Sequence, residues 1–256
     1  MILVAMSFAN NVLDARMAEN EFTTNKQFML TTGLQIDDIA WTIGRAQTVR
    51  YSSRYGQVMF QNETLTYSIE VMYGGSSEWQ QVFNYQTGII LYNMPSSEYT
   101  LGNNYFERIF PTNDSFVQSG TSAPVSHVYV VEKLPMSSGS FTRVAISPTI
   151  RMLNSSIDSQ SYVKVYLPSL QSGTNPRLSQ SITLIGKMVT HYMYSNVDQI
   201  QVTVTFPKES QGFSSDFFQF TSDSMTLNST SVPAIPPGSV VEFYVGEVGV
   251  SLGLYI

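Results

Sequence analysis

Near residue 45 the apolar residues change their period, and that change divides the chain. From Ala5 to Ile43 they recur at threes and fours: Ala5, Phe8, Val12, Ala15, Ala18 and Phe22, then Met29, Ile36, Ala40 and Ile43. This is the stripe of an amphipathic helix, with one face set against a core. No proline interrupts it, the first being Pro95. Gly33 lies inside the stripe and suggests a kink or break near Thr31–Gly33, while Gly44 followed by Arg45 reads as the stop. Beyond Gln47 the period becomes two. Leu65, Tyr67, Ile69, Val71 and Tyr73 alternate with polar residues, as do Ile200, Val202, Val204 and Phe206. Further strands are expected at Val49–Phe60, Gln80–Phe83, Gly88–Tyr92, His127–Lys133, Phe141–Ile146, Tyr162–Leu167, Ile182–Tyr194, Val240–Val245 and Val248–Ile256. Phe213–Phe220 reads as a short helix or an aromatic loop. Turn residues between the runs indicate an antiparallel sandwich or barrel. The expected fold is therefore α+β: a long N-terminal α-helix (1–45) followed by a mainly antiparallel β-sandwich head (46–256).

Composition narrows the function classes. The 256 residues include no cysteine, which excludes thiol catalysis, disulfide scaffolds and cysteine-bound metals. Charged residues are 12% of the chain, and the net charge is −6 with five lysines, so no basic face for nucleic acid is expected. Polarity comes instead from 34 Ser, 22 Thr and 14 Asn. That balance leans towards a secreted or cell-surface protein.

Motifs for catalysis are sparse. His127 and His191 both fall in expected strands without HExxH spacing, no GxSxG elbow or phosphate-binding glycine loop occurs, and Asp37 and Asp38 point about 100° apart on a helix. Loops such as Asn113–Ser115 and Asn196–Asp198 lack the dense oxygen ligands of a calcium loop. No enzyme activity, cofactor or metal site is expected. Sequons at Asn62, Asn113, Asn154 and Asn228 permit glycosylation, although so Ser/Thr-rich a chain yields about three by chance. Trp79, with Tyr73 and Tyr85 nearby, offers a candidate sugar-stacking platform, set against the commoner role of strand aromatics as packing pairs.

The N-terminus Met1-Ile-Leu-Val-Ala-Met-Ser-Phe-Ala is apolar but shorter than the ~20 residues that span a bilayer. It reads either as a helix whose first two turns pack on the head or as the remainder of a longer apolar helix, the second being favoured. An apolar helix that becomes amphipathic and feeds a β-rich head resembles archaeal type IV pilin-like proteins. The likeness is carried by Leu34-Gln-Ile-Asp-Asp-Ile-Ala-Trp-Thr-Ile-Gly-Arg-Ala-Gln-Thr-Val-Arg-Tyr-Ser-Ser-Arg-Tyr-Gly56 and by Val240-Val-Glu-Phe-Tyr-Val-Gly-Glu-Val-Gly-Val-Ser-Leu-Gly-Leu254. The resemblance implies a non-enzymatic subunit of a surface filament, at the cell surface or outside it, anchored in the membrane by the full-length helix before assembling with itself or with other pilin-like subunits. It implies Ile2, Leu3, Val4, Met6, Phe8, Val12 and Leu13 as helix-packing contacts, with Phe22 where the helix enters the head. The alternative is a secreted β-sandwich binding module or adhesin that recognises glycans or a protein through the loops around Trp79. A hydrolase with a site dispersed over the β scaffold is a third reading.

Overall fold

The computed structural model describes residues 2–134, 136, 139–173 and 180–253, with side chains from residue 12 onwards. Helix α1 (Ile2–Ala40) leads into β1 (Ala46–Arg50), β2 (Gln57–Tyr73), β3 (Gln80–Pro95), β4 (Tyr105–Phe110), β5 (Val117–Ser119), β6 (Ser126–Glu132) and β7 (Phe141–Pro148). There follow β8 (Ile150–Ile157), β9 (Gln160–Ser172), β10 (Ser181–Thr205), the short α2 (Ser215–Phe218), β11 (Ser224–Leu227) and β12 (Ser239–Leu252).

All twelve strands belong to one hydrogen-bonded sheet, ordered β4-β6-β7-β3-β2-β10-β12-β9-β8-β5, with β1 and β11 also paired to β10. The pairings β9–β12 and β5–β8 are parallel and the others antiparallel. This corrects the expected α+β class with a β-sandwich head: strands make up 54% of the chain and helix 15%, and the β part is a single sheet. The reason lies in β10. Its first part pairs with β12, its second with β2, and a register shift between Tyr194 and Val197 turns the corner without breaking the ladder. Asn196, at φ +60°, takes the left-handed conformation there. What resembles two packed sheets is one sheet folded back on itself.

The fold-back brings β3 against β9. Ser169 Oγ donates to Gln86 O at 3.0 Å, and Leu170 N–H donates to Thr87 Oγ1 at 2.8 Å. Between the wings lies one core, which includes Leu65, Tyr67, Ile89, Leu91, Tyr129, Val165, Val202 and Phe243. Phe217 and Phe218 of α2 close it, which places the ambiguous aromatic segment inside. A second core forms between α1 and the other sheet face. There Phe22, Phe28, Met29, Ile36, Ile39 and Ala40 meet Ile90, Tyr92, Val128, Val144, Ile182 and Val250. Each Phe, Met, Ile or Val side chain among them contributes about 1.5–3 kcal/mol on burial. Strands β6 and β7 are covered on both faces, so their residues are buried almost without alternation.

The helix runs unbroken through Gly33. Its backbone runs close to β6, where a Cβ on Gly33 would lie 2.6 Å from Val128 Cγ2 and Ser126 Oγ donates to Gly33 O at 2.9 Å. Glycine here permits close approach.

Candidate functional site

The buried residues of α1 follow the helical repeat from Ala18 onward: Ala18, Glu21, Phe22, Asn25, Phe28, Met29, Thr32, Ile36, Ile39 and Ala40. Val12 to Arg16, one turn earlier, are all exposed. At ~1.5 Å per residue the 39-residue helix is about 58 Å long, so its N-terminal part runs on beyond the point where packing against the sheet begins. The candidate site is this outer segment together with the contacts that fix its direction.

The main contact is a clamp around Glu21. Ser53 Oγ donates to Gly56 O at 2.7 Å, which tightens the loop between β1 and β2. The N–H groups of Arg54, Tyr55 and Gly56 then converge on the Glu21 carboxylate at 3.0, 3.1 and 3.0 Å. Tyr92 Oη donates to it at 2.9 Å. Successive main-chain donors of this kind form an anion-binding concavity, and hydrogen bonds to a charged group contribute about 1.5–3 kcal/mol each. Burial, and then the Glu21 carboxylate, raise the Tyr92 phenol above its usual range. The loop admits no side chain at Gly56, where a Cβ would fall 2.4 Å from Tyr92 Oη.

Three further ties act along the helix. Asn25 Nδ2 donates to Ser52 O at 2.8 Å, and Lys26 pairs with Glu107 of β4 at 2.7 Å. Near the C-terminal end Asp37 pairs with Arg151 of β8 at 2.6 Å and accepts Trp41 Nε1–H at 2.7 Å, while the Trp41 ring meets Tyr166 edge-on at 5.1 Å. Asp37 is thus an ion-pair partner, whereas Asp38 meets Arg45 at 3.2 Å in an exposed pair.

Of the residues expected to pack in an assembly, Val12 and Leu13 stand in solvent, 47% and 58% exposed. Phe22 faces inward, with its ring 4.9 Å from Tyr99 and 6.2 Å from Tyr92. The side chains of Ile2, Leu3, Val4, Met6 and Phe8 lie outside the described residues. The expected membrane partner is corrected: among the described residues no helix is long and apolar enough to cross a membrane. Asp14, Arg16, Glu19, Glu21 and Lys26 recur along α1, and each charge at a bilayer centre costs at least about 2.5 kcal/mol.

Tyr73, Trp79 and Tyr85 do not gather into one platform among the described ring contacts. Tyr85 stacks on Tyr67 inside the fold-back at 5.4 Å, and Tyr73 packs against the same core. Trp79 sits half-buried in the turn from β2 to β3. The sequon asparagines are spread over the surface. Asn62 accepts a hydrogen bond from Lys208 at 3.0 Å, and Asn113 exchanges amide hydrogen bonds with Gln118 at 2.7 Å. Asn154 donates to Ala234 O beside an open hollow of about 240 Å³, and Asn228 Oδ1 accepts Thr230 N–H and Oγ1 at 2.9 and 2.8 Å.

His127 is buried. Arg108 Nη1 donates to its Nδ1 at 2.9 Å, and its Nε2 donates to Ser115 O at 2.9 Å, an arrangement that fixes the neutral tautomer. His191 stacks on Tyr244 at 4.7 Å on the outer face of the sheet. Among the described residues no three His, Asp or Glu side chains converge as metal ligands.

Sequence reasoning missed Glu21, Gly56 and Tyr92. The available signal was polar residues on the apolar stripe, since Glu21 and Asn25 fall between Ala18, Phe22 and Met29 where a helix facing only hydrocarbon would carry none. Compared with known proteins, the chain matches no family model, no curated protein and no solved structure.

Proposed function

We propose that this protein is a non-enzymatic structural subunit of a cell-surface filament, assembling with copies of itself or related subunits through the outer segment of α1. The archaeal type IV pilin-like proteins it resembles work in this way. The observation that carries the reading is the exposure of Val12 and Leu13, 47% and 58%, on a helix whose following turns are fixed to the sheet by packing and by the Glu21 clamp. A rigidly aimed helix presenting Val12 and Leu13 to solvent is suited to packing against neighbouring helices. A surface rich in Ser, Thr and Asn, with few charges, stays hydrated with little dependence on salt.

The test is a Val12→Asp/Leu13→Asp variant. Sedimentation and negative-stain microscopy should find filaments or large oligomers for the wild type and monomers for the variant, with unchanged thermal unfolding. A wild type that stays monomeric at every concentration, or a variant that assembles equally well, would overturn the proposal.

A further inference from the structure

β10 has one edge with a gap in it. Ile182 pairs with both Val49 and Leu252, and Val197 with both Tyr73 and Ser239. A strand has two edges, so β12 takes one and β1 and β2 share the other. On that shared edge β1 covers Ser181–Ile185, and β2 covers Val197–Thr205. Main-chain hydrogen bonds close both ends: Gly44 N–H to Gly186 O at 2.8 Å, Gly186 N–H to Arg45 O at 2.9 Å, and Gly74 N–H to Asn196 O at 2.8 Å. Between them, from Lys187 to Ser195, no strand among the described residues meets the edge. The gap is about nine residues, or roughly 30 Å, long.

In an antiparallel ladder alternate residues turn their N–H and C=O to opposite sides. Every second residue of Met188–Tyr194 therefore directs its main chain into the gap. The side chains are also unusually open for a strand so deep in a sheet order: Met188, Tyr192 and Met193 are 47%, 42% and 62% exposed. His191 faces outward on Tyr244, whereas Tyr192 faces inward, 4.7 Å from Phe83. Protein edges are ordinarily blunted by proline, inward charge or bulges. Here the register shifts lie at the two ends, 186/188 and 194/197, and the one formal charge, Lys187, stands at one end.

We propose that this gap takes an extended polypeptide segment of about nine residues, added antiparallel to β10 and in line with β2 and β1. Its apolar side chains fall on the face of Tyr192 and Tyr194 and its polar ones beside His191 and Met193, while Lys187 turns away from the gap, its Nζ donating to Ser172 O at 3.1 Å across β12. A second copy's β10 does not fit. The gap is recessed between β1 and β2, so two such edges brought together would press β1 of one copy against β2 of the other. This site is separate from the helix and does not depend on the filament reading.

The probe is the peptide acetyl-Thr-Val-Thr-Val-Thr-Val-Thr-Val-Asp-amide, added at millimolar concentration to the full chain while backbone amide exchange is followed. Exchange should slow about tenfold or more at alternate residues of Met188–Tyr194 and stay unchanged elsewhere. A control peptide with proline in place of its second and third valines should give no slowing. No slowing with the probe, or equal slowing with the proline peptide, would overturn the proposal. So would protection of those amides in the free protein, or protection that rises with protein concentration alone, which would identify another occupant.

Discussion

A buried ionisable side chain is stable only where its surroundings choose one protonation state, and two residues here show the opposite solutions. Glu132 is pushed up by burial, but hydrogen bonds from Thr100, Leu101 and Thr142 outweigh that and hold its carboxyl below the usual range. His127 is held neutral: burial, and then the Arg108 guanidinium, bring its pKa down to about 4 from 6.5. A lowered histidine pKa means that the unfolded chain takes up a proton before the folded one does. The contribution of His127 is therefore complete above pH 6.5 and is lost as pH falls towards about 4. At about 1.4 kcal/mol per pH unit the loss amounts to about 3 kcal/mol. Urea unfolding midpoints measured across that window should fall for the wild type and stay nearly flat for His127→Gln. The sequence places His127 in a strand and gives it no site role, but its partners Arg108 and Ser115 come from other segments, and no local spacing announces them.

Among the elements, α1 was the most legible, because a one-sided helix advertises its buried face. Ala18, Phe22, Met29, Ile36 and Ala40 of the stripe are buried, whereas Val12 and Ala15 of the same stripe are exposed and Ile43 lies beyond the helix end, also exposed. The strands were legible where one face meets water, as in the Leu65–Tyr73 part of β2. They were less so where no apolar–polar alternation runs through the strand, as in β8, which is buried over its first three residues and exposed over its last four. β4, β5, β8 and β11 were missed, the runs Gln80–Phe83 and Gly88–Tyr92 prove to be one strand, as do Val240–Val245 and the described part of Val248–Ile256, and the expected Val49–Phe60 strand is broken by the loop that holds Glu21. Gly33 was read by helix propensity alone. Tertiary packing reverses the expected sign: Gly33→Ala should gain about 1 kcal/mol in helix propensity but lose about 1–3 kcal/mol through overpacking on Val128. Thermal unfolding should find the variant less stable than the wild type, and Gly33→Ala/Val128→Ala should recover part of the loss.

At the level of the whole molecule, the continuous sheet was the least legible feature. The runs Ile182–Tyr194 and Ile200–Phe206 read as separate strands because Asn196–Asp198 between them reads as a loop. In the fold it is a corner within β10. Since β10 serves both wings, neither wing can come apart without breaking ladders in the other, and unfolding should be a single cooperative event. The two tryptophans report on it separately, Trp41 beside β9 and Trp79 at the far turn of β2 and β3. Fluorescence transitions of Trp41→Phe and Trp79→Phe should each coincide with the circular dichroism transition of the same variant. The clamp on α1 also has a mechanical meaning. A tension applied to the outer segment acts nearly parallel to the helix axis, so the Glu21 hydrogen bonds, the Lys26 and Asp37 ion pairs and the apolar seam share the load in shear. Bonds loaded side by side must fail together, whereas bonds that peel open fail one after another. The joint between helix and sheet is therefore built to hold under a steady pull.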